Sequence, residues 1–161
     1  MPTYQKCRCQ GAFPLRQLVE EGCRPLASRL AAQAITTVID VPADQMIVAD
    51  RELLRSAVQN LVLGAIAAMP DGGSLVATSA SGPNTVELEI ADTGESLFDE
   101  ELHHASDPSG ADHRGTTGRA LAAVRKIAEA HGGNVTVANC PEGGVAFTLR
   151  IPQPVALEAA A

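Results

Sequence analysis

Aromatic residues are nearly absent: the 161-residue chain has no tryptophan, one tyrosine and three phenylalanines. Its core must therefore come from Leu, Val, Ile and Ala, and an apolar share of 45% supplies enough of them for a single domain. Positive charge is also short, with 12 Lys and Arg against 19 Asp and Glu, a net charge of -7. With no basic excess and few rings for bases to stack on, a nucleic-acid partner is not expected. No apolar run approaches the ~20 residues of a membrane span. The N-terminus is polar and lacks the apolar segment of a signal peptide, so a cytoplasmic setting is expected. Four cysteines, Cys7, Cys9, Cys23 and Cys140, are scattered in a way that suits a reducing compartment. Cys7 and Cys9 lack a second Cys/His pair at zinc spacing, which leaves them as part of an ordinary tail.

What is present is a regular alternation of elements. After a polar lead, residues 1–12, the spacing of Leu15, Leu18, Val19, Leu26 and Leu30 predicts a helix from Leu15 to Gln33, bent at Pro25. Ile35 to Val41 and Met46 to Ala49 read as short strands. Arg51 to Met69 is the clearest helix, with apolar residues at 3/4 spacing from Leu54 to Met69 and Asp50 as its cap. Pro70-Asp71-Gly72-Gly73 stops it. Two alternating strands follow, Ser74 to Ser79 and Thr85 to Ala91. Gly94 to Thr117 reads as a long polar loop, which in a compact domain suggests a lid. A helix from Gly118 to His131, a Gly-Gly stop and two last strands end the domain. Helices interleaved with largely antiparallel strands predict an α+β fold, a two-layer sandwich rather than a parallel doubly wound sheet.

Three places carry candidate chemistry. Asn60 and Gly64 stand four apart on one helical face, read as opposite the apolar stripe. Asn60 can offer a carbonyl oxygen to a magnesium ion or an amide to a phosphate. Alone, it reads more readily as an ordinary solvent-facing side chain. Asp92 ends an alternating strand and is followed by Thr93-Gly94. A partly buried carboxylate there can accept a hydrogen bond from an exocyclic amine such as adenine's, and Gly94 lets a flat ring approach the backbone. Without a ligand, the same residues make a plain turn. Arg114, Gly115, Thr116, Thr117, Gly118 and Arg119 put free N–H groups, hydroxyls and guanidinium charge before a helix, a setting for a polyphosphate. The bland alternative is a helix start capped by Thr117. The pattern is not a Walker loop.

In this order the elements resemble the ATP-binding domain of sensor histidine kinases, within the GHKL superfamily, over residues 13–152, with 153–161 as a tail. QNLVLGAIAAMPDGG resembles the N-box, IADTGES the DxGxG box, and RGTTGRALAAVRKI the GxGLGL box, followed by HGG at His131-Gly132-Gly133. The resemblance implies a Bergerat α/β sandwich with a mixed, mostly antiparallel sheet and helices on one face. It implies ATP with magnesium as ligands, Asp92 on the adenine amine, and Asn60 in the catalytic and metal-binding role. Several residues depart from the pattern. Gly64 stands where the family has its main magnesium-ligating asparagine, Ser96 replaces a glycine, Thr116 and Ala120 replace the outer glycines of the last box, and Arg119 replaces an apolar residue. Magnesium binding is accordingly expected to be weak or absent, with Arg114 and Arg119 offsetting part of the phosphate charge. No phosphoacceptor stands out. His103, His104 and His113, beside Asp107 and Asp112, fall in the expected lid, and Glu20 occupies the place where an acceptor box would carry histidine. The expected partner is a histidine-containing dimerisation domain or a response-regulator-type protein. Two alternatives share the fold: a degenerate, non-catalytic module working through protein contacts, and a serine kinase of the anti-sigma-factor type. Gyrase-like and chaperone-like ATPases fit worse, since their N-box has a glutamate base where this chain has Asn60.

Overall fold

In the computed structural model, residues 10–95 and 115–154 are described, with side chains of the second stretch from Ala120 onward. The elements run β1 (Gln10–Pro14), α1 (Leu15–Cys23), a 3-10 turn (Arg24–Leu26), α2 (Ala27–Ala32), β2 (Ile35–Asp40), β3 (Met46–Asp50), α3 (Arg51–Ala68), β4 (Gly73–Ser81), β5 (Thr85–Asp92), α4 (Gly115–Ala130), β6 (Asn134–Asn139) and β7 (Val145–Pro152). Five strands form one sheet in the order β2-β4-β5-β7-β6; β2 and β4 are parallel and the other pairs antiparallel. β1 and β3 form a separate antiparallel pair. This is the mixed, mostly antiparallel α+β sandwich that the sequence predicts.

Alternation makes the sheet two-sided. Leu75 and Ala77, Val86, Leu88 and Ile90, and Val145, Phe147, Leu149 and Ile151 all bury one face. α3 and α4 pack on it, and their Leu54, Val58, Leu61, Val62, Leu121 and Val124 belong to the same buried cluster. Each such side chain, fully buried, contributes about 1.5–3 kcal/mol, so methyl-bearing residues carry most of the core, with Phe13 and Phe147 as its aromatic members.

α3 is secured at both ends. Asp50 caps it, its Oδ1 accepting from the Leu53 N–H at 3.2 Å. The Asp50 N–H donates to His131 Nε2 at 3.0 Å, while His131 Nδ1 lies 2.8 Å from the Ile127 carbonyl. The two bonds together define a neutral ring with its proton on Nδ1. His131, at the end of α4, thus ties that helix to the start of α3. At the other end Gln33 Nε2 donates to the carbonyls of Ile66 and Met69, at 3.0 and 3.1 Å, satisfying acceptors that a helix terminus leaves open.

Three expectations need correction. The predicted bend at Pro25 is a break, with the 3-10 turn separating α1 from α2; proline lacks the N–H that a continuous helix needs. α4 begins at Gly115 rather than Gly118, so Gly115, Thr116 and Thr117 form its first turn instead of ending the loop. Gly64 does not lie on an open face opposite the packing surface: it is buried, because α4 covers α3 on that side as the sheet does on the other. β1 had no sequence signal. It includes Gln10 and Gly11 from the polar lead, and pairing with β3 rather than propensity makes it a strand.

Candidate functional site

β5 ends on Asp92, opposite Leu75 of β4 and beside the first residue of β7. The residue is 4% exposed, the one buried charged side chain among the described residues. Its Oδ1 accepts from the Gly94 N–H at 2.9 Å and from the Val145 N–H at 3.4 Å. Both donors converge on the same oxygen, and Oδ2 has no partner among the described residues. Burial raises the Asp92 pKa above its ordinary value, and the two backbone bonds offset only part of that. A buried carboxylate with one oxygen unfilled is a receptor for an N–H donor.

Backbone crowding fixes this position. A Cβ on Gly144 would lie 1.9 Å from the Asp92 carbonyl oxygen, and one on Gly94 would lie 2.3 Å from the Ala68 carbonyl oxygen. Neither place can take a side chain. Gly94 therefore brings the strand end against the last turn of α3. The Thr93 Oγ1, accepting from the Ser74 N–H at 2.9 Å, holds the same turn to β4.

From Ala68 the site follows α3 backward, to Gly64 about one turn away and Asn60 about two. Asn60 is half-buried, and its Nδ2 donates to the Ser56 carbonyl at 2.8 Å, while its Oδ1 has no partner among the described residues. Gly64 faces Ala120 of α4: a Cβ there would meet the Ala120 methyl at 3.5 Å. Gly115, Thr116, Thr117, Gly118 and Arg119 are the opening turns of α4, so the third candidate cluster sits where α4 starts along this α3/α4 seam. Arg114 lies outside the described residues, as do Ser96, His103, His104, Asp107, Asp112 and His113.

The donors along the seam do not fit a protein-built magnesium site. Magnesium takes near-octahedral oxygen ligation, and among the described residues α3 offers two neutral oxygens there, Asn60 Oδ1 and the Ser56 Oγ that lies 3.4 Å from Asn60 Nδ2, while Gly64 has no side chain. Among the described residues no three His, Cys, Asp or Glu side chains come together. Cys23 and Cys140, the cysteines among the described residues, are both held toward the neutral thiol. Burial, aided by Glu20, pushes the Cys23 thiol up to about 11. Burial and then the Asp92, Glu89 and Glu142 carboxylates raise that of Cys140.

Sequence reasoning singled out Asp92, Asn60 and the start of α4; the fold puts Asn60 on α3, whose Gly64 packs against Ala120 of α4, and Asp92 on the strand end held at the last turn of α3. It missed His131 as a tie between helices; its place after α4 gave only the helix-stop reading. It also missed Gly144, whose signal was the Gly-Gly pair before β7.

Residues 49–155 match the model of the histidine kinase-, DNA gyrase B- and HSP90-like ATPase family. The chain is 31% identical over 150 residues to the histidine protein kinase DivJ of Caulobacter vibrioides, covering 89% of this chain and 25% of that protein. It is 30% identical over 140 residues to the sensor histidine kinase ZraS of Klebsiella oxytoca, covering 86% and 30%. It thus spans about a quarter to a third of the length of these relatives. Among solved structures, the catalytic domain of histidine kinase ThkA superposes with a TM-score of 0.80 at 26% identity, over 90% of this chain and 96% of that one. A structure of ThkA in complex with the response regulator protein TrrA matches at TM-score 0.77 and 25% identity, over 90% and 42%. A strand-end carboxylate beside a two-helix seam, on a sheet of this topology, agrees with all of these: the chain belongs to the histidine kinase-, DNA gyrase B- and HSP90-like ATPase family, as an ATPase domain of the histidine-kinase type.

Proposed function

We propose that residues 13–152 form a domain that binds ATP and passes its γ-phosphoryl group to a histidine carried outside this sequence. The observation that carries the reading is the open Oδ2 of buried Asp92. The 6-amino group of adenine is a donor of the right kind, and a charged acceptor in a buried place makes a strong bond to it. Guanine presents a carbonyl oxygen at the same position, and two acceptors face to face repel. The adenine end belongs at Asp92 and Gly94. The phosphates then extend along the seam past Gly64 toward Asn60 and the N–H groups opening α4, where the helix dipole favours negative charge. Thr116, Thr117 and Arg119 are assigned to that end, with Arg114 before them.

The partner in this reading is a histidine-containing dimerisation domain or a response-regulator-type protein; support comes from the relatives' names and from the similar kinase ThkA, solved together with a response regulator. No described helix is long and apolar enough to cross a membrane, and the scattered cysteines support a cytoplasmic setting. The test is paired calorimetric titration with ATP and GTP. ATP is expected to bind at least about tenfold more tightly, the value of one well-placed polar contact. Equal affinities, or no binding of ATP, would overturn the reading.

A further inference from the structure

Two departures from the family pattern, a glycine at 64 and an alanine at 120, lie far apart in sequence yet face one another across the α3/α4 seam. Ala120 is 4% exposed, and among the described residues its methyl is the neighbour that a Cβ placed on Gly64 would meet, at 3.5 Å. That separation is ordinary van der Waals contact for a methyl group, so a bare Cβ fits. A longer side chain at 64 would extend from that contact into a seam that it shares with the apolar Ala120 methyl. The space that a metal-ligating side chain on α3 would use is therefore bounded by an apolar group from α4.

We infer that Gly64 and Ala120 are one coupled change: the Ala120 methyl occupies the room into which a side chain at 64 would extend, and this domain holds nucleotide without a metal ligand from that position. Removing the ligand and filling the gap keep the helices packed, since a void left between them would be destabilising. Neither replacement alone restores the site. Asparagine at 64 lacks room while Ala120 is present, and glycine at 120 opens a gap with no oxygen in it. The coupling follows from packing alone; only the nucleotide consequence rests on the ATP-binding reading.

The experiment compares four chains: the parent, Gly64→Asn, Ala120→Gly and the double variant. Urea unfolding without nucleotide tests the coupling. Gly64→Asn is expected to lower stability, Ala120→Gly to lower it as well, and the double variant to be more stable than the sum of the two losses allows. Additive losses would overturn the coupling. Calorimetry with ATP, in magnesium chloride and in EDTA, tests the consequence. The parent should change little between the two conditions. The double variant should bind at least about tenfold more tightly with magnesium, the scale on which metal sites respond to changes in their ligand surroundings. A large magnesium effect in the parent, or a gain in Gly64→Asn equal to that of the double variant, would overturn the inference. Failure of all four chains to bind ATP in either condition would refute the proposed function and, with it, the nucleotide consequence; the unfolding data would still decide the coupling.

Discussion

Replacing Asp92 with Asn separates what this residue does for a ligand from what it does for the fold. The amide keeps the size and an oxygen that can accept from Gly94 and Val145. It loses the charge and, with its one oxygen held by those backbone donors, puts an NH2 where Oδ2 stood, a donor that cannot accept from an amine. A hydrogen bond to a charged group is worth about 1.5–3 kcal/mol, against ~1 kcal/mol for a neutral one. With that bond lost, calorimetry should show ATP affinity lower by roughly ten- to a hundredfold, at about 1.4 kcal/mol per factor of ten. The nucleotide-free protein should respond in the opposite direction. Burial raises the folded-state pKa of Asp92 above its ordinary value of 3.8. The folded protein thus holds this proton more tightly than the unfolded chain does. The associated stability is fully present below the ordinary value and is lost as pH rises through the raised one. At neutral pH the ionised group is a burden, and the variant should melt no lower than the parent. As the pH is lowered toward 3.8 the parent should gain on the variant. Unchanged ATP affinity would refute the site. A large drop in nucleotide-free stability at neutral pH would show that the charge is needed to hold the Gly94 and Val145 backbone.

Two glycine-to-alanine changes in helices should have opposite signs. Gly64→Ala has its nearest neighbour at 3.5 Å and should stabilise by about 0.5–1 kcal/mol through helix propensity; Gly22→Ala would put a Cβ 2.6 Å from the stiff Val58 side chain at the α1/α3 crossing and should destabilise by about 1–3 kcal/mol. Urea midpoints for both proteins check the pair, and a shared sign would contradict the packing described. His131→Ala leaves the Asp50 N–H without its acceptor and should lower unfolding free energy by about 1–2 kcal/mol; amide exchange at Asp50 should accelerate in the same variant, and unchanged protection there would contradict the tie between α3 and α4.

The long elements were legible because their signals are local. α3 had its cap, its 3/4 apolar spacing and its Pro-Asp-Gly-Gly stop in one continuous stretch, and β4, β5 and β7 alternate cleanly. β1 was hidden because a strand of Gln, Gly, Ala, Phe and Pro has no pattern of its own and depends on β3 for its hydrogen bonds. The environment of Gly64 was hidden for a related reason. Periodicity identifies the main buried stripe of a helix, but not a second neighbour that covers another side through small residues. Asp92 was readable as a strand-end carboxylate. That both backbone donors choose the same oxygen is a property of the turn geometry, and no residue pattern encodes it visibly.

The most direct measurement is a crystal structure of this chain with a non-hydrolysable ATP analogue. The adenine 6-amino nitrogen should lie at hydrogen-bond distance, about 2.9 Å, from Oδ2 of Asp92, with the phosphates running along the α3/α4 seam toward Asn60. Adenine bound away from Asp92, or Asp92 paired only with the protein while nucleotide occupies another surface, would contradict the account.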